Sequence, residues 1–341
     1  MTQLNMAHNE LFRRPADESF ESLETLKSHC RDQRDQSSER WRLPQELNPH
    51  VGHDTVSLEV DGSLKSRLNS WSFSQLCRMS GVSRETLNRL SPDTASRALQ
   101  ETIQRSDKPV QLLTTDTSIR SIHGVSYTRL WNADLLDTVT QYASDFQQPQ
   151  AAVTGGTGLY CGEQDMFAFL IDPTGWTEIN GQAFAPGFFV WNSEVGRRSL
   201  GIQTFWFQSI CQNHIVWDAV EIVDFTKKHT ANVNDGLTEI GRIIERLVQQ
   251  RDERRDGFFS VMKKAMTERL GNDSEAALKE LTKQGFSRKL AAQAVEQAKQ
   301  AGALTVFAVV DALTKLAQTT RYAGERLQAD LKAAALLQLV A

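Results

Sequence analysis

Gly187-Phe-Phe-Val-Trp-Asn-Ser-Glu-Val-Gly-Arg-Arg198, followed after two residues by Gly201-Ile-Gln-Thr-Phe-Trp-Phe207, is the passage that decides the fold. Two aromatic-rich runs, Gly187 to Trp191 and Ser199 to Phe207, have the β-branched and aromatic content of strands. Between them Asn192, Ser193 and Gly196 supply turn chemistry, with polar groups that point out of the strand ends. The same reading extends upstream. Val110 to Leu113 and Ile119 to Val125 read as strands, Ala133 to Tyr142 as a helix, and Leu159–Cys161 with Met166–Ile171 as a hairpin around Gly162-Glu163. Five of the seven tryptophans fall between Trp131 and Trp217, which calls for a bulky aromatic core. The expected fold is α+β: an antiparallel β-sheet core with packed helices and a helical C-terminal extension.

Outward from this core the pattern changes. Residues 1–55 are polar and charge-rich and read as a weakly ordered leader, with one short helix within Asp17 to Leu26. Residues 56–230 form the α+β core domain, and residues 231–341 form a helical C-terminal region. Leu237, Ile240, Ile244 and Leu247 make a narrow stripe flanked by charges, as in a helical seam, and this motivates an expected homo-oligomer. That helix is expected to bend or break near Gly257. Ala276 to Ala298, with Gly285-Phe286 at its turn, has the outline of a helical hairpin or a small protein-binding module.

The 341 residues are 40% hydrophobic and 23% charged, an ordinary globular balance, with a net charge of -4. A protein that coats DNA through charge alone would be more basic, so any nucleic-acid site must be a local cationic patch. Cys30, Cys77, Cys161 and Cys211 form no CxxC pair, and no apolar run follows Met1. Free thiols and a cytoplasmic location are expected. Apolar runs fall short of the roughly 18 residues that suggest a membrane span, so no membrane association is expected.

Several constellations invite chemistry. Gln75 to Leu90 has helix-turn-helix spacing, with Gly81 at the turn and Arg84, Glu85, Asn88 and Arg89 on the outer face; a hairpin packed on the core has the same spacing. His50, His53 and Asp54, and separately Cys211 and His214, have tempting spacings but lack the further ligands a closed metal site needs. Neither a phosphate loop nor a nucleophile elbow is present, and no metal or cofactor is expected. An enzyme would have to draw on Asp165, Asp172, Glu194 and His229 as a metal-dependent nuclease or other hydrolase. Arg197 and Arg198, beside Phe205, Trp206 and Phe207, suit a phosphate backbone with stacked bases. An anti-defence or scaffold role through protein contacts is the third reading.

Asn192-Ser193 with Gly196, Cys211 with Asn213, Lys228-His229, and upstream Arg120 with Ser126-Tyr127-Thr128-Arg129 form a dispersed pattern. In it the chain resembles the phage/plasmid-like protein family (domain of unknown function 932) over residues 70–340. Where members of that family often carry Asn-Gly after the cysteine, this chain has Asn213-His214. The resemblance implies a setting in mobile-element DNA metabolism and implies no reaction. Together the readings point to an accessory protein that binds DNA, single-stranded DNA favoured, in support of replication or recombination. The expected contact residues are Arg120, Tyr127, Arg129, Asn192, Ser193, Arg197, Arg198, Trp206, Asn213, Lys228 and His229.

Overall fold

Two sheets divide the strands of this chain, seen in a computed structural model that describes residues 10–52, 54–59, 65–149, 158–209, 213–215 and 225–341. The first sheet has the order β1 (Glu18–Ser19), β8 (Leu159–Cys161), β9 (Met166–Ile171), β11 (Gln182–Asn192), β12 (Leu200–Gln208) and β13 (Asn213–Ile215). Two short strands add to it: β10 (Thr177–Ile179) on β11 and β14 (Phe225–Lys227) on β12. All its pairings are antiparallel. The second sheet runs β2 (Ser37–Arg42), β6 (Val110–Thr115), β7 (Ser118–Gly124), β5 (Lys65–Leu68), β4 (Val56–Glu59) and β3 (Asn48–Val51). Only its β5–β7 pairing is parallel. The fold is α+β, with a helical C-terminal part.

The aromatic run reads as it does because β11 is covered on both faces. Phe188 and Val190 point into a core shared with α1 (Leu23–Asp35), α5 (Asn132–Tyr142) and α6 (Asp235–Gln249). Phe189 and Trp191 point to the other face, where Phe167, Phe169, Phe205 and Phe207 pack under α11 (Ala323–Ala334). Trp191 lies directly opposite Gly201 in the register, and its indole occupies the space a Cβ there would need. A strand with no solvent face shows no polar alternation.

The second sheet is covered on one face by α2 (Ser70–Met79), α3 (Arg84–Leu87) and α4 (Pro92–Thr102), over Leu58, Leu112, Ile119 and Ile122. Side-chain caps mark these helices: Asn69 accepts from Ser72 N, Ser83 from Thr86 N and Ser91 from Thr94 N. The C-terminal helices are α7 (Arg251–Thr267), α8 (Ser274–Lys283), α9 (Arg288–Gln300), α10 (Val306–Ala317) and α11. They close around Phe258, Leu281, Phe286 and Val310, with Phe184 and Trp206 entering from the first sheet. Among the described residues no helix is long and apolar enough to cross a membrane.

Four expectations are corrected here. Residues 10–52 are not a weakly ordered leader. They supply β1 to one sheet, β2 and β3 to the other, and α1 between. The segment has few apolar residues, but Phe12, Phe20, Leu26, Cys30 and Leu47 are all buried, and strands added to an existing sheet need few anchors. The helix-turn-helix reading fails because α3 is a single turn and two of the residues expected on its outer face, Arg84 and Asn88, turn inward. Asn88 is buried, accepts from Phe12 N (2.7 Å) and donates to Phe12 O (3.1 Å), and Arg84 donates to Ser70 Oγ (2.9 Å). The Ile240, Ile244, Leu247 stripe is buried against α5 and the first sheet, so the helical seam has its partner within the chain. The helix ends at Gln249, and Gly257 lies inside α7 without interrupting it.

Candidate functional site

A β-bulge opens the site. Leu113 pairs with Ser121 and Thr114 with Ile119, so Arg120 is the extra residue of β7. A bulge re-aims a side chain out of its alternation. Here the Arg120 guanidinium reaches the end of the other sheet and meets the Glu194 carboxylate at 2.9 Å, both groups buried. Glu194 sits in the turn after β11, whose Gly196 adopts φ +69°. A Cβ at Gly196 would come within 2.6 Å of the His123 ring, so only glycine lets the turn lie against β7.

The segment after β7 wraps around the Glu194 backbone. Tyr127 donates its hydroxyl to Glu194 O (2.8 Å), and Arg129 donates to the same carbonyl. Arg129 also binds Glu39 Oε1 (2.6 Å) and Gln111 Oε1 (3.1 Å), which joins β2 and β6 to the site. Glu194 Oε1 accepts from Asn132 N (2.8 Å) at the start of α5. Asn192 is fully buried and donates to Leu130 O and Asn132 Oδ1 (2.9 Å each). Ser193 donates to Gln164 O and accepts from Arg197 N (2.8 Å).

Tyr127 lies between two imidazoles, with ring centres 3.7 Å from His123 and 5.4 Å from His229. His229 Nδ1 is 3.3 Å from Thr128 O, and the Thr128 N–H returns a hydrogen bond to His229 O (3.1 Å). Burial, with the nearby Arg129 charge, pushes His123 down to about 3 and His229 down to about 4, so both rings are neutral at pH 7. Burial pushes the Tyr127 phenol up. Arg120 Nη1, Ser121 Oγ, His123 Nε2, Asn192 Oδ1 and His229 Nε2 are buried with no hydrogen-bond partner among the described residues, and Glu194 Oε2 has the Arg120 ion pair alone.

The rim differs from this interior. Arg197 is exposed, its guanidinium lies 5.7 Å from the centre of the Trp71 ring, and Trp71 is anchored by an indole hydrogen bond to Val195 O (2.7 Å). Lys228 is exposed as well, next to the buried His229. Arg198 turns inward to Asp165 at 2.7 Å, and Arg14 binds the other oxygen of that carboxylate at 3.2 Å.

The structure thus brings together Arg120, Tyr127, Arg129, Asn192, Ser193, Arg197, Arg198, Lys228 and His229. Two expected contact residues fall elsewhere. Trp206 is buried and stacks on Phe258 at 4.0 Å, so its faces are closed to a base. Asn213 pairs with Gln208 at the end of β12 remote from the Leu200 end that adjoins the site. Eight residues of strand, about 26 Å, separate the two ends. The Asn213 and His214 side chains, Cys211 and His53 lie outside the described residues. His50 pairs with Glu59 at 2.6 Å. The set named for a hydrolase also divides: Glu194 and His229 belong to the site and Asp165 to its edge. Asp172 instead caps the turn after β9 by accepting from Thr174 N (3.0 Å). Among the described residues no group of three or more His, Cys, Asp or Glu is placed to hold a metal ion.

His123, Glu39, Asn132 and Trp71 escaped the sequence reading. His123 had a signal, because it shares the face of Ser121 in a strand whose other face is apolar. Comparison with protein-family models, with curated proteins and with solved structures gave no match for this chain.

Proposed function

We propose that this protein binds DNA, single-stranded DNA in preference to duplex, as an accessory factor in the replication or recombination of a mobile element. In this reading the Arg120–Glu194 centre is a frame and its rim makes the contact. The observation that carries it is Arg197: an exposed guanidinium over an anchored tryptophan ring, on a turn fixed by Ser193, with exposed Lys228 following β14. A cation beside an aromatic face suits a phosphate backbone with unstacked bases. The mobile-element setting rests on the resemblance to the phage/plasmid-like family. It is supported by the way Arg120, Tyr127, Arg129, Asn192, Ser193, Gly196 and His229 serve one structural centre.

The test is binding to single- and double-stranded oligonucleotides across a salt series. Replacing Arg197 and Lys228 with Ala should weaken single-strand binding and flatten its salt dependence by about one unit of slope per lost phosphate contact. Stability should hold, because both side chains are exposed. No binding by the wild-type protein at low salt would end the nucleic-acid reading.

A further inference from the structure

In the C-terminal helices a cavity of about 420 Å³ opens between the α8–α9 turn, α10 and α11. That volume lies in the range of small-molecule sites. Its wall is aliphatic, formed by Leu290, Leu313, Leu316, Ala317 and Ala329. Phe286 is its one aromatic lining residue, and the Lys332 ammonium lies 4.6 Å from the centre of that ring. The cavity therefore offers an alkyl chain a surface to cover but offers a planar aromatic ligand little to stack on.

The polar side chains at this cavity, Ser287, Thr320 and Lys332, can each donate a hydrogen bond. Lys332 gives one hydrogen bond to Gly285 O and has two N–H groups left. The carbonyl and the Phe286 ring together fix an exposed ammonium at the edge of an apolar cavity. Ser287 Oγ accepts from Leu290 N at 3.3 Å as the cap of α9, which leaves its O–H to donate. No acid lines the cavity. The neighbouring turn carries Lys283, Arg288 and Lys289, all exposed, and Glu280 of α8 is engaged by Lys283 (3.7 Å) and Gln284 (2.9 Å).

An aliphatic cavity with a fixed ammonium, a hydroxyl donor and a cationic surround is complementary to an alkyl chain with an anionic head. We propose that this cavity binds an alkyl-chain carboxylate, with the chain against Leu290, Leu313 and Leu316 and the carboxylate on Lys332 Nζ and Ser287 Oγ. The site is separate from the Arg120–Glu194 centre and does not depend on the DNA reading.

The experiment is calorimetric titration of the full chain with sodium decanoate below its micellar range, beside decyltrimethylammonium and decanol. Decanoate should saturate a single site and bind at least about tenfold more tightly than the other two. Lys332→Glu should weaken it by about the same factor, and Ala329→Trp, which fills the cavity from a partly exposed position, should abolish it. Ala317→Trp fills the same space from α10 and serves if Ala329→Trp lowers the melting temperature. The proposal is overturned if decanoate shows no saturable binding. It also falls if the cationic or neutral amphiphile binds equally well, or if binding survives in a folded cavity-filling variant.

Discussion

Two of the arginine–carboxylate pairs among the described residues lie under the surface, and they are held in opposite ways. Arg120 and Glu194 come from different sheets, meet at 2.9 Å, and share their surroundings with Asn132 N, Tyr127 and Arg129. Arg326 and Asp330 lie one turn apart on α11 at 3.8 Å, against the aromatic face of the first sheet. There Asp330 Oδ1 and Arg326 Nε have no hydrogen-bond partner among the described residues. Burial pushes Asp330 up to about 8, and the Arg326 charge only partly opposes it. Burial is common to both pairs. The polar neighbours differ: Glu194 has fixed donors around it, whereas Asp330, set among phenylalanines with one distant cation, takes up a proton.

The largest expected effect falls on the first pair. Glu194→Gln leaves the Arg120 charge uncompensated and should destabilise the fold by about 3–5 kcal/mol, read as a lower urea midpoint at pH 7. Asp330→Asn should instead raise the midpoint at that pH, since the unfolded carboxyl is ionised there and must take up a proton to be buried, whereas a neutral amide need not. Equal losses in the two variants would erase the contrast.

The pH dependence sharpens it. Asp330 has a folded pKa raised from 3.8 to about 8, so between those values the native state binds the extra proton. Its contribution makes stability fall as pH rises through that window and levels off above it. Asp330→Asn removes this slope, so the margin by which the variant melts above wild type should grow as pH rises from about 4 to about 8 and stay constant above. His123 and His229 act in the opposite sense. Their folded pKa values are lowered from 6.5 to about 3 and about 4, so the unfolded chain binds more protons below pH 6.5. Stability from these rings is lost as pH falls from 6.5 toward 4, and His229→Asn should flatten that acid limb. An unchanged limb would mean that the rings are already charged in the native state.

Tyr127→Phe should have the smallest effect, about 1 kcal/mol, because Arg129 still donates to the Glu194 carbonyl. A loss several times larger would show that the phenol, rather than the ion pair, organises the centre.

The centre of the first sheet was legible because β9, β11 and β12 are apolar, rich in aromatic residues and close in sequence. The hairpin strands at Leu159–Cys161 and Met166–Ile171 coincide with the structure, and the Gly187 run lengthens to Gln182–Asn192. The second sheet was half hidden. β2 reads Ser-Ser-Glu-Arg-Trp-Arg and is held by β6 across a long separation, with hydroxyl pairs such as Ser38–Thr114 (2.7 Å). A polar edge strand whose partner is remote leaves no local period to read. The candidate site was legible in its residue types but misjudged in its exposure. Arg120 and Arg129 look like phosphate ligands in a sequence, yet their carboxylate partners, Glu194 and Glu39, come from other elements. Of the expected contact residues, Arg197 in the turn after β11 and Lys228 after β14 are the ones the described structure leaves exposed.

The hydrogen bond from Ala323 N to Asp17 Oδ2 closes a gap of 306 positions. It ties the beginning of the described chain to the first turn of α11, with Tyr322 bonded to Arg14 O nearby (3.1 Å). On the ribosome this contact comes late. At about 5–20 residues per second, roughly 15–60 s separate the synthesis of Asp17 from that of its partner. For much of that interval Phe20 and Leu26 wait for a core whose last members are Ile244 and Leu247, and a long nascent chain with unmet apolar groups is the kind that engages holding chaperones. The order of synthesis, as much as the final packing, therefore sets when this N-terminal segment becomes protected.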